Sequence, residues 1–385
     1  MTRWIAATGA AIVSLDSIMN IAFPAIAASF AEPPERMRWV IICYVFTYAI
    51  TSFLGGALAD RVGHARVFGA GLALSALAFV LGALAPAFAA LLGARVVQGV
   101  AGGLVYGTAP ALATLAVAPR ARGRALGFLN AGIAVGFTIG PLVAGVLVER
   151  FGWRAIFVVR APLAALALVW ALAALPAWRG SAATPMVAPA DMLRGAVLRP
   201  SVIAFLANAG IFAVWLLAPF YLVSARGLDV ATGGALFTLT PLGTAVAAPV
   251  AARVAERLGA AAPIVAGLAV EAAGLALLAR ASADTPLPEI AVALFAAGFG
   301  LGLFQVPNMI AVMAAFGPAQ QGAAGGTAFL ARTLGVVFGV ATLAQVFGAR
   351  RLTAGAAAAY GDCFLLAAGG VAVAALLGIV WARRR

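Results

Sequence analysis

The sequence predicts an all-α polytopic membrane protein with twelve transmembrane helices. Hydrophobic residues make up 64% of its 385 positions and charged residues only 10%, with a mean hydropathy of +1.08. A soluble protein of this length could not bury so much apolar surface, so lipid is expected to cover its outer faces. The 44 glycines and 20 prolines fit the same class, because membrane helices tolerate both residues.

Twelve apolar runs follow one another along the chain, separated by short charged or Pro/Gly-rich loops. Each is near or above the ~20 residues that an α-helix needs to cross the hydrocarbon core. The first is too long for the apolar part of a secretory signal, so it is read as a span. The predicted spans are 4–30, 38–59, 67–88, 89–117, 125–148, 155–176, 201–224, 231–252, 261–281, 288–315, 322–347 and 358–382.

The arginines predict the orientation, because loops on the cytoplasmic side carry an excess of positive charge. The chain has no lysine, and all 25 basic residues are arginines. With the N-terminus inside, the inner segments hold fourteen arginines and three acids, and the outer loops hold eight arginines and seven acids. Both termini are therefore expected in the cytoplasm, with the protein in a bacterial inner membrane.

The longest polar stretch, 177–200, divides the chain into two sets of six spans. The predicted domains are a six-helix bundle at 1–176, a cytoplasmic loop at 177–200 and a second bundle at 201–385. A short sequence repeats between the halves: A-D-R-V-G at 59–63 and A-E-R-L-G at 255–259. Duplication with a site at the bundle interface would explain the repeat, and chance similarity between short loops is the alternative.

Several function classes find no support in the sequence. The net charge of +13 is not gathered in a basic, aromatic-rich soluble segment, so no nucleic-acid partner is expected. Cys43 and Cys363 lie in or beside apolar runs without a Cys/His cluster, so neither a disulfide nor a metal site is predicted. The H-E-x-x-H and G-x-S-x-G motifs are absent. We expect neither an enzyme nor a cofactor.

The loop after span 2 reads G-A-L-A-D-R-V-G-H-A-R (56–66). Gly56 would let span 2 pack closely on a neighbour, and Gly63 would supply the tight turn into span 3. Asp60 places an anion at the membrane boundary, where a helix N-terminus could accept it. Arg61 and Arg66 would hold the loop in water.

This segment resembles the signature loop of the major facilitator superfamily. The resemblance implies the twelve-helix fold of that family and places the start of span 11, near Gln321 and Gly322, opposite Asp60. His64 and Ala65 stand where the family usually has two basic residues. His64 is therefore either a pH-sensitive element or a solvated loop residue.

Span 4 contains L-L-G-A-R-V-V-Q-G-V-A-G-G (91–103), similar to the family's span 4 motif. A charge such as Arg95 inside an apolar helix costs about 2.5–3.5 kcal/mol even on a mild insertion scale. Arg95 therefore needs a partner or a water-filled cavity, unless it reaches the outer interface. Gln98 adds a polar group to the same helix.

Span 5 reads G-I-A-V-G-F-T-I-G-P-L-V-A-G (132–145) and resembles the antiporter signature of the family's drug:proton exporters. The spacing predicts a helix face on which another helix lies almost backbone to backbone, with a kink at the proline. Such a helix would seal or bend during transport, and a generic packing face is the alternative. The residues are Gly132, Gly136, Gly140, Pro141 and Gly145.

Span 1, with S-L-D-S-I-M-N-I-A-F-P-A-I (14–26), is similar to the drug:proton antiporter branch that often has fourteen spans. Asp16 and Asn20 lie within it. Asp16 is expected to face an aqueous cavity or an arginine, which makes it a candidate proton carrier. A neutral aspartic acid in a helix contact is the alternative.

Other ionisable residues also fall inside predicted spans. Arg160 stands where the family commonly has Asn, which suggests an anionic or zwitterionic substrate. Glu271 is either a second candidate proton carrier or a shallow residue without consequence. We assign Asp16, Asn20, Arg95, Gln98, Arg160 and Arg332 to the proton-coupling and substrate cavity.

The leading prediction is proton-coupled efflux of small amphipathic compounds. Its partners would be a small-molecule substrate, protons and the lipid bilayer, with the protein as a monomer. A metabolite exporter or symporter, including one for an anion, is the alternative within transport. A non-transporting membrane receptor is the alternative outside it.

Overall fold

The computed structural model describes residues 2–32, 34–115, 117–175, 189–228 and 230–382. Helices account for nearly all of these residues. They are α1 (Thr2–Ser14), α2 (Ile18–Phe30), α3 (Arg38–Val62), α4 (His64–Ala83), α5 (Phe88–Leu115), α6 (Arg122–Phe151), α7 (Ala155–Ala174), α8 (Pro189–Met192), α9 (Gly195–Phe220), α10 (Val230–Phe237), α11 (Leu239–Leu258), α12 (Ala261–Ala279), α13 (Leu287–Ala314) and α14 (Gln321–Ala382).

Helices stand at all twelve predicted spans, and the predicted fold class is confirmed. Within the described ranges, nine segments are long and apolar enough to cross a membrane by length and composition alone. The last of them, Pro318–Ala382, covers the two final predicted spans. These spans are two helices joined at Gly355, whose φ of 86° is not helical and breaks α14. The first span is α1 and α2 together, joined by a 3₁₀ turn.

The first compact unit comprises the described residues up to Met192 together with Met313–Leu330. In it α3 packs on α5, α4 packs on α5 and α7, and α1 packs on α6. The beginning of α14, predicted to belong to the second bundle, lies in this unit.

The second unit comprises Leu193–Val312 and Ala331–Arg385, described as far as residue 382. Its α12 packs on α9 and α11, and small residues bring α12 and α13 into contact at Gly274 and Ala297. The core is aliphatic and aromatic, with Leu268, Leu275 and Phe304 buried in it.

The predicted domain boundaries stay predictions. Most of the predicted loop at 177–200 lies outside the described residues, and the described chain resumes at residue 189 with α8.

Candidate functional site

The first span changes its helical geometry at Asp16. A 3₁₀ turn over Leu15–Ser17 separates α1 from α2, and such a turn within a helix often marks a functional position. Ser14 shares a hydrogen bond of 2.6 Å with the hydroxyl of Tyr106 on α5. The Ser17 hydroxyl donates to the Phe137 carbonyl of α6 at 3.2 Å. The turn is therefore held by both neighbouring helices.

Arg95 on α5 is the main partner of Asp16. Its Nη1 lies 2.6 Å from Oδ1 of Asp16 and its Nη2 lies 2.7 Å from Oδ2, a bidentate ion pair. Its Nε donates to the Val40 carbonyl at 2.9 Å. The side chain is buried, so Arg95 does not reach the outer interface. The ion pair with Asp16 offsets the cost of placing this cation in span 4.

Gln98 and Tyr44 complete the surroundings of this pair. The Gln98 amide donates to Oδ1 of Asp16 at 2.7 Å, and its oxygen accepts from Nη1 of Arg95 at 2.7 Å. The Arg95 guanidinium lies 4.4 Å from the ring centroid of Tyr44, a cation–π contact. Asp16 and Arg95 are thereby fixed in one geometry.

Arg160 on α7 approaches the same carboxylate from another helix. Its Nη1 lies 3.2 Å from Oδ1 of Asp16, and its guanidinium lies 4.2 Å from the ring centroid of Phe79. The side chain is 1% exposed. Its Nε and Nη2 make no hydrogen bond to any described part of the chain.

The formal charges of this group do not balance. Two guanidinium groups surround one carboxylate, which leaves one positive charge in excess. The Asp16 side chain is 13% exposed, whereas those of Arg95 and Arg160 are nearly inaccessible. A proton or an organic cation can therefore reach the group at Asp16, whereas the Nε and Nη2 atoms of Arg160 are buried and have no hydrogen-bond partner among the described residues. We call Asp16, Arg95, Gln98 and Arg160 the ion-pair cluster.

Asp60 caps the first turn of α14. The backbone N–H groups of Gly322 and Ala323 donate to its two carboxylate oxygens at 2.7 and 2.8 Å. The predicted partner, the start of span 11, is confirmed. An anion at a helix N-terminus is favourable because the first N–H groups have no partner within the helix.

Gly56 and Gly63 serve the geometry around Asp60. A Cβ at Gly56 would overlap the carbonyl of Gly322, so α3 and α14 meet there backbone to backbone. Gly63 takes a φ of 105°, which favours glycine. Arg61 and Arg66 are exposed, as predicted.

His64 lies beside Asp60, with its Nε2 3.1 Å from Oδ1 of the aspartate. It is 8% exposed, so the alternative of a solvated loop residue is wrong. Its role as a pH-sensitive element stays a prediction.

The glycines of α6 lie against the first span. A Cβ at Gly132 would meet Ala7, one at Gly136 would meet Ala11 and Ser14, and one at Gly140 would meet Ser17. The close approach predicted from the spacing is confirmed. This contact brings α6 directly against the turn that carries Asp16.

The remaining predicted site residues belong to the second unit or have side chains or surroundings that the structure does not describe. Arg332 is partly buried on α14 in the second unit. The side chains of Asn20 and Pro141 and the surroundings of Gly145 lie outside the described residues. Among the described residues, no group of His, Cys, Asp and Glu side chains could hold a metal ion.

Sequence reasoning missed the supporting residues around the ion-pair cluster. The sequence gives no indication that Tyr44, Phe79, Tyr106 or the Val40 carbonyl would contact these charges. In the sequence, a tyrosine or phenylalanine of an apolar helix that contacts a charged group cannot be distinguished from one that only packs in the core. Only the packing of α3, α4 and α5 reveals these contacts.

The chain is similar to bacterial transport and resistance proteins over most of its length. It is 25% identical to the riboflavin transporter RibZ of Clostridioides difficile strain 630, an alignment that covers 86% of this chain and 84% of the relative. It is 29% identical to the puromycin resistance protein pur8 of Streptomyces alboniger, covering 91% and 80%.

Its fold is shared with a solved transporter of low sequence identity. The crystal structure of the human organic anion transporter MFSD10 (TETRAN) matches with a TM-score of 0.80 and 19% identity, covering 98% of each chain. The profile of the Major Facilitator Superfamily matches residues 5–340 and 200–385. With this fold, the Asp60 cap on α14 and these relatives, the chain belongs to the Major Facilitator Superfamily of membrane transporters.

Proposed function

We propose that the protein exports small amphipathic compounds in exchange for protons, by alternating access. The observation that carries the proposal is Asp16, a membrane-embedded carboxylate held by Arg95, Arg160 and Gln98 at a break in the first span. Intramembrane ionisable groups that face a bundle interior mark ion and substrate pathways. Similarity to the puromycin resistance protein pur8 supports efflux.

Exchange follows from competition at one carboxylate. The described residues give Asp16 four hydrogen bonds, three of them to Oδ1, and all need it as an acceptor. A proton on Asp16 removes a negative charge that Arg95 and Arg160 otherwise share. A cationic group of the substrate would use the same negative charge. Proton and substrate therefore exclude one another, and a ligand that favours one conformation shifts the equilibrium toward it.

The variant Asp16→Asn tests this role of the carboxylate. The amide mimics the protonated form and carries no negative charge, so we expect weaker binding of cationic substrates and loss of the uphill export that a pH gradient drives. The measurement is substrate-dependent proton movement in proteoliposomes, screened over a panel of amphipathic compounds.

The matched control is Asp284→Asn, which changes an exposed acid in the loop before α13 and should export like the wild type. Full gradient-driven export by Asp16→Asn would move the coupling residue elsewhere.

Transport of a specific anionic metabolite is the second candidate, and Arg160 favours it. Its Nε and Nη2, which form the edge that pairs bidentately with carboxylates, have no partner among the described residues. The two candidate functions are separated by measuring the transport of compounds offered in pairs, each as a carboxylic acid and as its neutral amide. If the wild type transports the acid in preference to the amide and Arg160→Gln does not, the result would support transport of an anionic substrate.

A further inference from the structure

Glu271 is a second buried carboxyl, in the other unit. It is the eleventh residue of α12, which runs from Ala261 to Ala279, so it lies near the middle of a predicted span. Its exposed fraction is 0%. The alternative of a shallow residue near the membrane surface does not fit this position.

Neither carboxyl oxygen of Glu271 has a hydrogen-bond partner in the described part of the chain. No described arginine forms an ion pair with it. The charged side chains of the neighbouring helices stand mostly near helix ends. They are Arg199 on α9, Arg253, Glu256 and Arg257 on α11, Glu289 on α13, and Arg332, Arg350, Arg351 and Asp362 on α14.

The helices pack tightly around this carboxyl. On α12, Gly267, Glu271, Gly274 and Leu275 are all buried and share one face. A Cβ at Gly300 of α13 would overlap the backbone N of Glu271, so the two backbones are in contact there. With this packing and an exposed fraction of 0%, the side chain is enclosed between closely spaced helices.

An ionised carboxylate in this setting would be a buried charge without compensation, which costs far more than a buried neutral acid. A proton is the one cation that needs no cavity. We propose that Glu271 is a second proton-binding site of the transporter, occupied by a proton in this conformation. It gives the proton up when the contact between α12 and α13 opens to water.

The inference that this proton is exchanged during transport rests on the proposed function. The inference that Glu271 holds a proton does not. In the cycle, the proton would enter from water on one side of the membrane and leave to water on the other, with no bond to substrate. Each substrate molecule exported would then be exchanged for one more proton than Asp16 alone accounts for.

The first experiment detects the proton directly. The full chain in lipid at neutral pH, without substrate or gradient, is examined by infrared spectroscopy for the C=O band of a protonated carboxyl that makes no hydrogen bond. We expect this band in the wild type and in Asp16→Asn, and its loss in Glu271→Gln. The exposed glutamate of α13 gives the control Glu289→Gln, which should keep the band. A wild type without the band, or a band that survives in Glu271→Gln, would overturn the proposal.

The second experiment measures coupling. At a fixed pH gradient, losing one proton per cycle lowers the steady-state concentration ratio of substrate about tenfold per pH unit. We expect this loss in Glu271→Gln and not in Glu289→Gln. An unchanged ratio in Glu271→Gln would exclude exchange of this proton during transport. If the wild type shows no gradient-driven export, the proposed function fails, while the infrared result still decides whether Glu271 holds a proton.

Discussion

Asp60 is a single residue through which the last turn of α3 acts on α14. Its carboxylate accepts hydrogen bonds from two backbone N–H groups, and it is 5% exposed. A charge at a helix N-terminus is worth about 0.3–1 kcal/mol, and up to ~2 kcal/mol when partly buried. The conformation with this cap in place is stabilised by that amount.

We expect Asp60→Asn to leave insertion and folding intact and to slow transport. The amide keeps one acceptor but loses the charge, so the population ratio of the conformations shifts by roughly two- to thirtyfold. The initial rate of export in proteoliposomes measures the effect.

The control for this prediction is Glu149→Gln, an exposed acid near the end of α6, which should transport like the wild type. Unchanged rates in both Asp60→Asn and Asp60→Ala would remove the loop from the mechanism.

At the scale of elements, α6 and the first span depend on each other. The glycines of α6 let it approach α1 so closely that the Ser17 hydroxyl reaches a carbonyl of α6. The same turn presents Asp16 to α5 and α7. A change in the distance between α6 and the first span would therefore move the carboxylate relative to Arg95 and Arg160.

The variant Gly136→Val tests this coupling between helices. A Cβ at this position would lie 2.8 Å from Cβ of Ser14, so α6 must move away. Overpacking of this kind costs about 1–3 kcal/mol, and we expect a lower thermal unfolding temperature together with reduced transport.

Gly93→Ala is the matched control, since nothing lies within 4 Å of a Cβ there. Alanine in that helix should be neutral or stabilising by about 1 kcal/mol. Normal stability and transport in Gly136→Val would show that the close approach is dispensable.

For the whole molecule, orientation in the membrane is the property that the charge distribution predicts. Fourteen arginines and three acids on one predicted side, against eight arginines and seven acids on the other, predict that both termini lie in the cytoplasm. Reporter fusions at residue 190 and after Arg385 should both report cytoplasm, and one at residue 284 should report the opposite side. A periplasmic signal at residue 190 or after Arg385 would contradict this topology.

The sequence alone determined the fold class, the twelve spans and the family resemblance, and that resemblance implied the partner of Asp60. The length of an apolar run and a short motif can both be recognised within one segment of the chain. An apolar segment that crosses the bilayer forms a helix because its backbone groups have to be hydrogen-bonded within the segment. Even the glycine face of α6 follows from spacing along one helix.

Only the tertiary structure decided which intramembrane charges meet. Arg95 and Arg160 are 65 positions apart in the chain, yet both bind one oxygen of Asp16, while Glu271 has no partner among the described residues. The sequence places each charge on a helix but does not say which face of that helix meets which neighbour. Side-chain packing between helices that are distant in the sequence decides which faces meet. In this protein the packing pairs Asp16 with two arginines and places Glu271 between helices that offer its carboxyl no described partner.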